Sequence, residues 1–149
     1  MSKVVWKPGT FIYPIPAVMV SCGNMEKSNI ITVAWTGILN TNPARVYVSI
    51  RPERYSYNLI KETGEFVSCP MIKESPVSIE CRVIGIKEIG SHHMFEAEVL
   101  SIDADEKYID EKGAFDISKC NLMAYANGGY YALGEKIGKF GYSVQKKKK

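Results

Sequence analysis

Along much of this chain, apolar and polar residues take turns singly instead of recurring every third or fourth position. That period of two is the mark of strands resting one face on a core. Ala17 to Ser21, entered through Pro16, predicts a strand. CGNMEKSN then supplies turn residues (Gly23, Asn24, Asn29), and IITVAWTGIL predicts a second strand rich in β-branched and aromatic residues. From Arg45 to Arg51, Val46, Val48 and Ile50 share one face, while Tyr47, Ser49 and Arg51 share the other. Pro52 cannot donate to a ladder, so it ends that pairing and biases Arg51 towards extended backbone. The period then changes. Tyr55, Leu59 and Ile60 recur at helical spacing, which predicts a helix at about 54–63 closed by Gly64. Phe66 and Val67 begin another strand, which runs abruptly into Cys69-Pro70. SIECRVIGIKEIGSHHMFEAEVLSID predicts a long hairpin that turns at EIGS. After Asp110 the expectation is loop mixed with NGGYYALGEKIGKFGYSV, whose glycines recur too often for a good helix.

Short strands, frequent turns and one main helix predict a mostly β, mostly antiparallel barrel with a small α component. The 149 residues fit a single domain over 1–149. No βαβ alternation occurs and no GxGxxG follows a strand, so a Rossmann dinucleotide site is not expected.

Composition changes the picture in three places. The formal charge of +3, less the four positive charges of Lys146 to Lys149, leaves −1 for the body of the chain. The tail at 146–149 is therefore read as a flexible, solvated end, and nucleic acid is not expected as a partner. Cys22, Cys69, Cys81 and Cys120 include no CxxC pair, and the two histidines, His92 and His93, are adjacent. No metal site is expected, and isolated cysteines fit a reducing compartment. FIYPIPAVMV is interrupted by Pro14 and Pro16, and no apolar run approaches the ~18 to 20 residues that span a bilayer. A cytoplasmic protein without a membrane partner is expected.

Two stretches carry candidate chemistry. SIRPERYSYNLIKETGEF, from Ser49, reads either as a strand-to-helix turn with a solvated basic corner or as an anion cradle. In the second reading, free first-turn N–H groups, the helix dipole and the fork-shaped donors of Arg51 and Arg54 converge with the hydroxyls of Ser49 and Ser56. TVAWTG, residues 32 to 37, places Thr32 and Thr36 around Trp35, with small Ala34 and Gly37 beside it. Trp35 is either a core residue or the wall of a flat ligand's site, which the two small residues would let approach the backbone.

With these pieces in hand, the chain resembles the flavin reductase-like family with an FMN-binding split barrel, which includes the flavoredoxins. The matching stretches are PAVMVSCG, NIITVAWTG, NPARVYVSIRPERYSYNLIKETGEFV, SPVSIECRV, IGSHHMFEAEVLSID and GGYYALGEKIGKFG, and they cover most of the chain. The resemblance implies a Greek-key split barrel, a homodimer, and FMN bound near the subunit interface. It lays Thr32, Val33, Ala34, Trp35 and Thr36 along the isoalloxazine, and puts Ser49, Ile50, Arg51, Arg54, Tyr55 and Ser56 around the phosphate. The family's GDH-like turn becomes Gly90-Ser91-His92 here, which leaves His92 as either a site residue or an exposed hairpin histidine. Family members also carry a partly helical segment where this chain runs from Val67 to Pro76. The short connection fits either a member with a more open site or a sequence lacking an internal stretch. The implied function is an oxidoreductase that passes electrons from NADH or NADPH through FMN to a flavin, a metal chelate or a protein. The alternatives are an electron carrier without its own NAD(P)H oxidation and, third, a nucleic-acid-binding barrel.

Overall fold

The structure is a computed structural model, and it describes residues 3–64 and 69–142. Its strands are β1 (Ile15–Pro16), β2 (Val18–Gly23), β3 (Ser28–Val33), β4 (Thr36–Asn40), β5 (Arg45–Ile50), β6 (Val77–Glu88), β7 (His93–Ala104), β8 (Met123–Ala126) and β9 (Gly129–Ala132). The helix α1 (Tyr55–Thr63) follows β5, and two 3₁₀ turns, Glu106–Tyr108 and Ile117–Lys119, follow β7. Every named pairing is antiparallel, in three sheets: β1-β8-β9, β2-β3 and β4-β5-β7-β6. Among the described residues the architecture is thus a mostly β split barrel with one α-helix, split between sheets instead of closed into one.

The sequence's single strand through IITVAWTGIL is in fact two. The chain leaves β3 at Val33, turns with Thr36 N–H donating to the Ala34 carbonyl at 3.0 Å, and enters β4 in another sheet. Trp35 sits at that corner, and its carbonyl accepts from Ser49 N–H at 2.8 Å. A single alternating run cannot reveal a change of sheet, because both strands obey the same period. The last third also holds more order than expected. β8 and β9 form a hairpin around Asn127-Gly128, whose φ values of 43° and 89° suit a two-residue turn. The expected strand at Phe66 and Val67 lies outside the described residues.

α1 runs close to its expected bounds and ends at Gly64, whose φ of 65° lets its N–H reach the Ile60 carbonyl at 2.9 Å. Its buried face is Ser56, Tyr57, Leu59 and Ile60. Tyr55, expected on that face, is 62 % exposed, because the polar Ser56 takes the inward position. Leu59 and Ile60 join Cys22, Val33, Ile50, Tyr57 and Phe95 in a core where the helix meets the β2-β3 hairpin and the β5-β7 pair. Burying each large aliphatic side chain is worth about 1.5–3 kcal/mol, so this cluster anchors the helix.

The β6-β7 hairpin follows the expected alternation, with register shifts at Glu80/Cys81 and Val83/Gly85. On its solvent face Arg45 pairs with Glu96 at 2.8 Å and Arg82 with Glu98 at 2.9 Å. Among the described residues no helix is long and apolar enough to cross a membrane.

Candidate functional site

The end of β5 and the start of α1 form one corner. Arg54 N–H donates to the Arg51 carbonyl at 3.0 Å, which closes the turn that Pro52 imposes. Arg54 is then the N-cap residue, in extended conformation, and no side chain caps the helix. The first turn contains no acidic residue either. The N–H groups of Tyr55 and Ser56 have no intrahelical acceptor, as for any helix start, and no side chain among the described residues accepts from them.

A cleft of about 380 Å³ opens at this point, lined by Asn29, Ile30, Ile31, Thr32, Arg54, Tyr55 and Ser56. Four residues singled out from sequence, Thr32, Arg54, Tyr55 and Ser56, are therefore brought together. No hydrogen bond or ion pair among the described residues engages the Arg54 guanidinium. Arg51 lies beside the cleft, exposed, with its guanidinium 3.1 Å from the Glu53 carboxylate. Glu53 is held below the usual carboxylate range, first by its own backbone N–H and further by Arg51 and Arg54, so it stays ionised at neutral pH. The Lys27 ammonium stands 5.9 Å from the centre of the Tyr55 ring.

Asn29 was not singled out as a site residue, yet it organises the cleft. Its Nδ2 donates to Ser56 Oγ at 2.7 Å, tying β3 to the first turn of α1. Ser56 is 1 % exposed, and its hydroxyl keeps a proton to donate. The signal available in the sequence was positional: Asn29 shares its strand face with Ile31 and Val33, and a polar residue on a buried face needs a partner. Behind Ser56, Cys22 Sγ approaches the Asn29 carbonyl at 3.5 Å and the Ser56 carbonyl at 4.0 Å. Burial pushes the Cys22 thiol up, so it stays protonated and can donate.

The other expected residues fall in different places. Val33 and Ile50 put their side chains in the core, so they can offer a ligand only main-chain atoms. Ser49 is 8 % exposed, and its N–H is used by the Trp35 carbonyl. Thr36 spends its hydroxyl on the Tyr47 carbonyl at 2.6 Å. Gly37 is small for a reason other than ligand approach, since a Cβ there would stand 3.0 Å from the Tyr47 ring. Trp35 is 37 % exposed and outside the core cluster, so it is not the simple core residue of the plainer reading. Its ring stacks on His92 (centroids 5.8 Å apart, planes 8° apart) and tilts against Tyr125 at 6.0 Å. His92 thereby joins the strand corner, with Ser91 Oγ 3.0 Å from its Nδ1.

A larger hollow of about 560 Å³ lies between β2, β5 and β6 and the loops carrying Cys69 to Ile72 and Cys120 to Met123. Its walls are mostly apolar and, among the described residues, no arginine or lysine lines it, so none of them offers an anion a counter-charge there. The basic corner, though smaller, is the site with convergent chemistry. Among the described residues no group of three or more His, Cys, Asp or Glu is placed to hold a metal.

Comparison with known proteins bears on the family and the fold. A family model described as "Flavin reductase like domain" matches residues 10–68 and 67–134. The two matched stretches meet at Val67–Ser68, where the sequence runs abruptly into Cys69-Pro70. An uncharacterized protein of Archaeoglobus fulgidus is 27% identical over 141 residues, covering 68% of this chain and 79% of its own length. One of Pyrococcus abyssi is 26% identical over 148 residues, covering 74% and 83%. Among solved structures, the fold is similar to flavoredoxin of Desulfovibrio vulgaris (Miyazaki F), with TM-score 0.86, 24% identity, and 97% of this chain and 100% of that one covered. It is also similar to an FMN-binding protein from Thermus thermophilus with bound 1-cyclohex-2-enone, with TM-score 0.74, 20% identity, and 93% and 99% covered.

Proposed function

Because the chain belongs to the flavin reductase like family, we propose that it binds FMN and acts as an oxidoreductase, taking electrons from NADH or NADPH. The acceptor in this reading is a flavin, a metal chelate or a protein. The observation that carries FMN, as opposed to a flavin without phosphate, is the uncapped start of α1 facing a cleft with an unpaired guanidinium. The residues present fit a phosphate: two first-turn N–H groups, Arg54, the Ser56 hydroxyl and, once released from Glu53, Arg51. Thr32 to Thr36 would then lie along the ring, with Trp35 held by His92 and Tyr125 as an aromatic wall.

When bound, FMN supplies the redox chemistry, accepting a hydride or electrons and handing them on. The chain's own residues bind the phosphate, orient the ring and restrict water at its face. No side-chain triad is required for that work, and none is assigned.

We propose further that the working form is a homodimer, with neither nucleic acid nor a membrane as partner. The chain exposes 12005 Å². A compact monomer of 16.7 kDa exposes about 7,600 Å². Large apolar side chains stand exposed near both ends of the described chain, at Trp6, Phe11, Ile12, Ile137 and Phe140, and a partner copy would cover them. A sedimentation measurement showing a monomer that still holds FMN would contradict the dimer.

The TM-score of 0.86 to two flavoredoxins favours a second reading, an electron carrier that does not itself oxidise NAD(P)H. Anaerobic mixing of purified protein with NADPH or NADH separates the two. Rapid bleaching of the flavin band supports the oxidoreductase. Bleaching only with an added reductase supports the carrier.

A further inference from the structure

Two consecutive residues of α1 hold its first turn to the two sheets that flank it. Ser56 is bonded to Asn29 of β3. Tyr57, on the other side, puts its hydroxyl 2.8 Å from Nδ1 of His93, the first residue of β7. Tyr57 is 6 % exposed, and its ring meets His93 edge-on at 5.4 Å and Phe95 edge-on at 5.3 Å. His93 is the register partner of Ile50, the residue before Arg51. The hydroxyl therefore bridges the helix that starts the corner and the strand paired with the one that ends in it.

A phenylalanine would fill the Tyr57 position equally well against Phe95 and Ile50. Burying a hydroxyl there costs about 1–3 kcal/mol unless it finds a partner, so a core needing only volume would not use one. What the pair adds is direction: a short bond of fixed geometry sets where α1 begins relative to β5 and β7. The Glu88 carboxylate stands 3.9 Å from the same Nδ1 and is largely exposed. It lies on β6, as the register partner of His93.

We propose that Tyr57 and His93 are positioning residues for the phosphate corner, holding the first-turn N–H groups and the Arg51–Arg54 turn in binding geometry before any ligand arrives. This rests on the reading above that the corner takes the FMN phosphate. Neither residue touches the cleft: its lining includes Ser56 and Tyr55 but neither Tyr57 nor His93. Their effect is on pre-organisation, which lowers the ordering cost of binding.

The test compares FMN and riboflavin affinities of the apo-protein by fluorescence titration, together with amide hydrogen exchange without ligand. Tyr57→Phe keeps the ring and removes the bond. A lost hydrogen bond of this kind corresponds to about a three- to tenfold weakening of FMN binding. Riboflavin binding should hold within about twofold on the same argument, since it lacks the phosphate. Amides of Tyr57, Asn58 and Leu59 should exchange faster while those of β5 and β7 do not. His93→Leu should behave alike, and His93→Asn, which carries a polar atom at the place of Nδ1, should restore both the FMN preference and the slow exchange. Equal losses for the two flavins, unchanged FMN binding in Tyr57→Phe, or no rescue by His93→Asn would overturn the proposal. A wild-type protein that binds riboflavin as tightly as FMN would instead overturn the phosphate corner itself, and the positioning role with it.

Discussion

Arg54 and Arg51 stand three residues apart in one basic turn, yet the structure gives them unequal work. The Arg54 guanidinium lines the cleft without a hydrogen bond or ion pair, whereas Arg51 is already engaged by Glu53. A charge-assisted contact to phosphate is worth about 1.5–3 kcal/mol, so Arg54→Ala should weaken FMN binding by roughly ten- to a hundredfold. Arg51 must first leave Glu53. An exposed ion pair is weak, and what it is worth is subtracted from whatever the phosphate returns. Arg51→Ala should therefore cost clearly less than Arg54→Ala. The assay is titration of apo-protein with FMN and, separately, riboflavin, followed by flavin fluorescence at fixed ionic strength. Riboflavin affinity should scarcely change in either variant, because the contact that is removed has no phosphate to meet. Equal loss of both ligands in Arg54→Ala would mean damage to the pocket, and a larger loss from Arg51 than from Arg54 would refute the division of labour.

Three other outcomes follow from the same geometry. Glu53→Gln frees Arg51 and removes a negative charge beside the phosphate, so FMN should bind up to about fivefold more tightly, within the range of an exposed pair; weaker binding in the titration would contradict this. Trp35→Ala should lower FMN retention and raise bound-flavin fluorescence while the melting temperature stays close to that of the parent, because Trp35 lies outside the core cluster; a mutant that unfolds with its flavin properties intact would return Trp35 to a purely structural role. The Cys81 thiol is pushed up from 9.0 to about 11 by burial. The folded state thus holds its proton more tightly than the unfolded one, and this contribution, complete below pH 9, is lost as pH rises towards 11. Cys81→Ala should flatten that alkaline fall in denaturant-melt stability, and an unchanged slope would show that another group causes it.

Much of this fold was legible because its signals are local. The bounds of α1 follow from Pro52 and Gly64, and the β6-β7 hairpin follows from alternation on both sides of Gly90, although its register shifts at Glu80/Cys81 and Val83/Gly85 do not. What escaped was set by contacts between distant segments. Nothing in IITVAWTGIL announces that the chain changes sheet at Ala34-Trp35, since the partner that fixes the corner is Ser49 N–H. The placing of Tyr55 was likewise open to error, because a tyrosine suits either a core or a cleft until its neighbours are known. For the site, the residue types at the strand-to-helix junction pointed to an anion, and the resemblance to a family supplied the rest. Asn29 and His93 were missed as partners of α1, since the first is separated from Ser56 by 27 positions and the second from Tyr57 by 36. A glycine read as room for a ligand, Gly37, turned out to make room for Tyr47.

The absorption spectrum of the purified protein, followed by identification of any released chromophore, decides whether this chain carries FMN. A flavin spectrum should travel with the protein through gel filtration, and the released flavin should carry a phosphate. A colourless protein that fails to take up added FMN, or one that carries riboflavin and shows no preference for FMN, would contradict it.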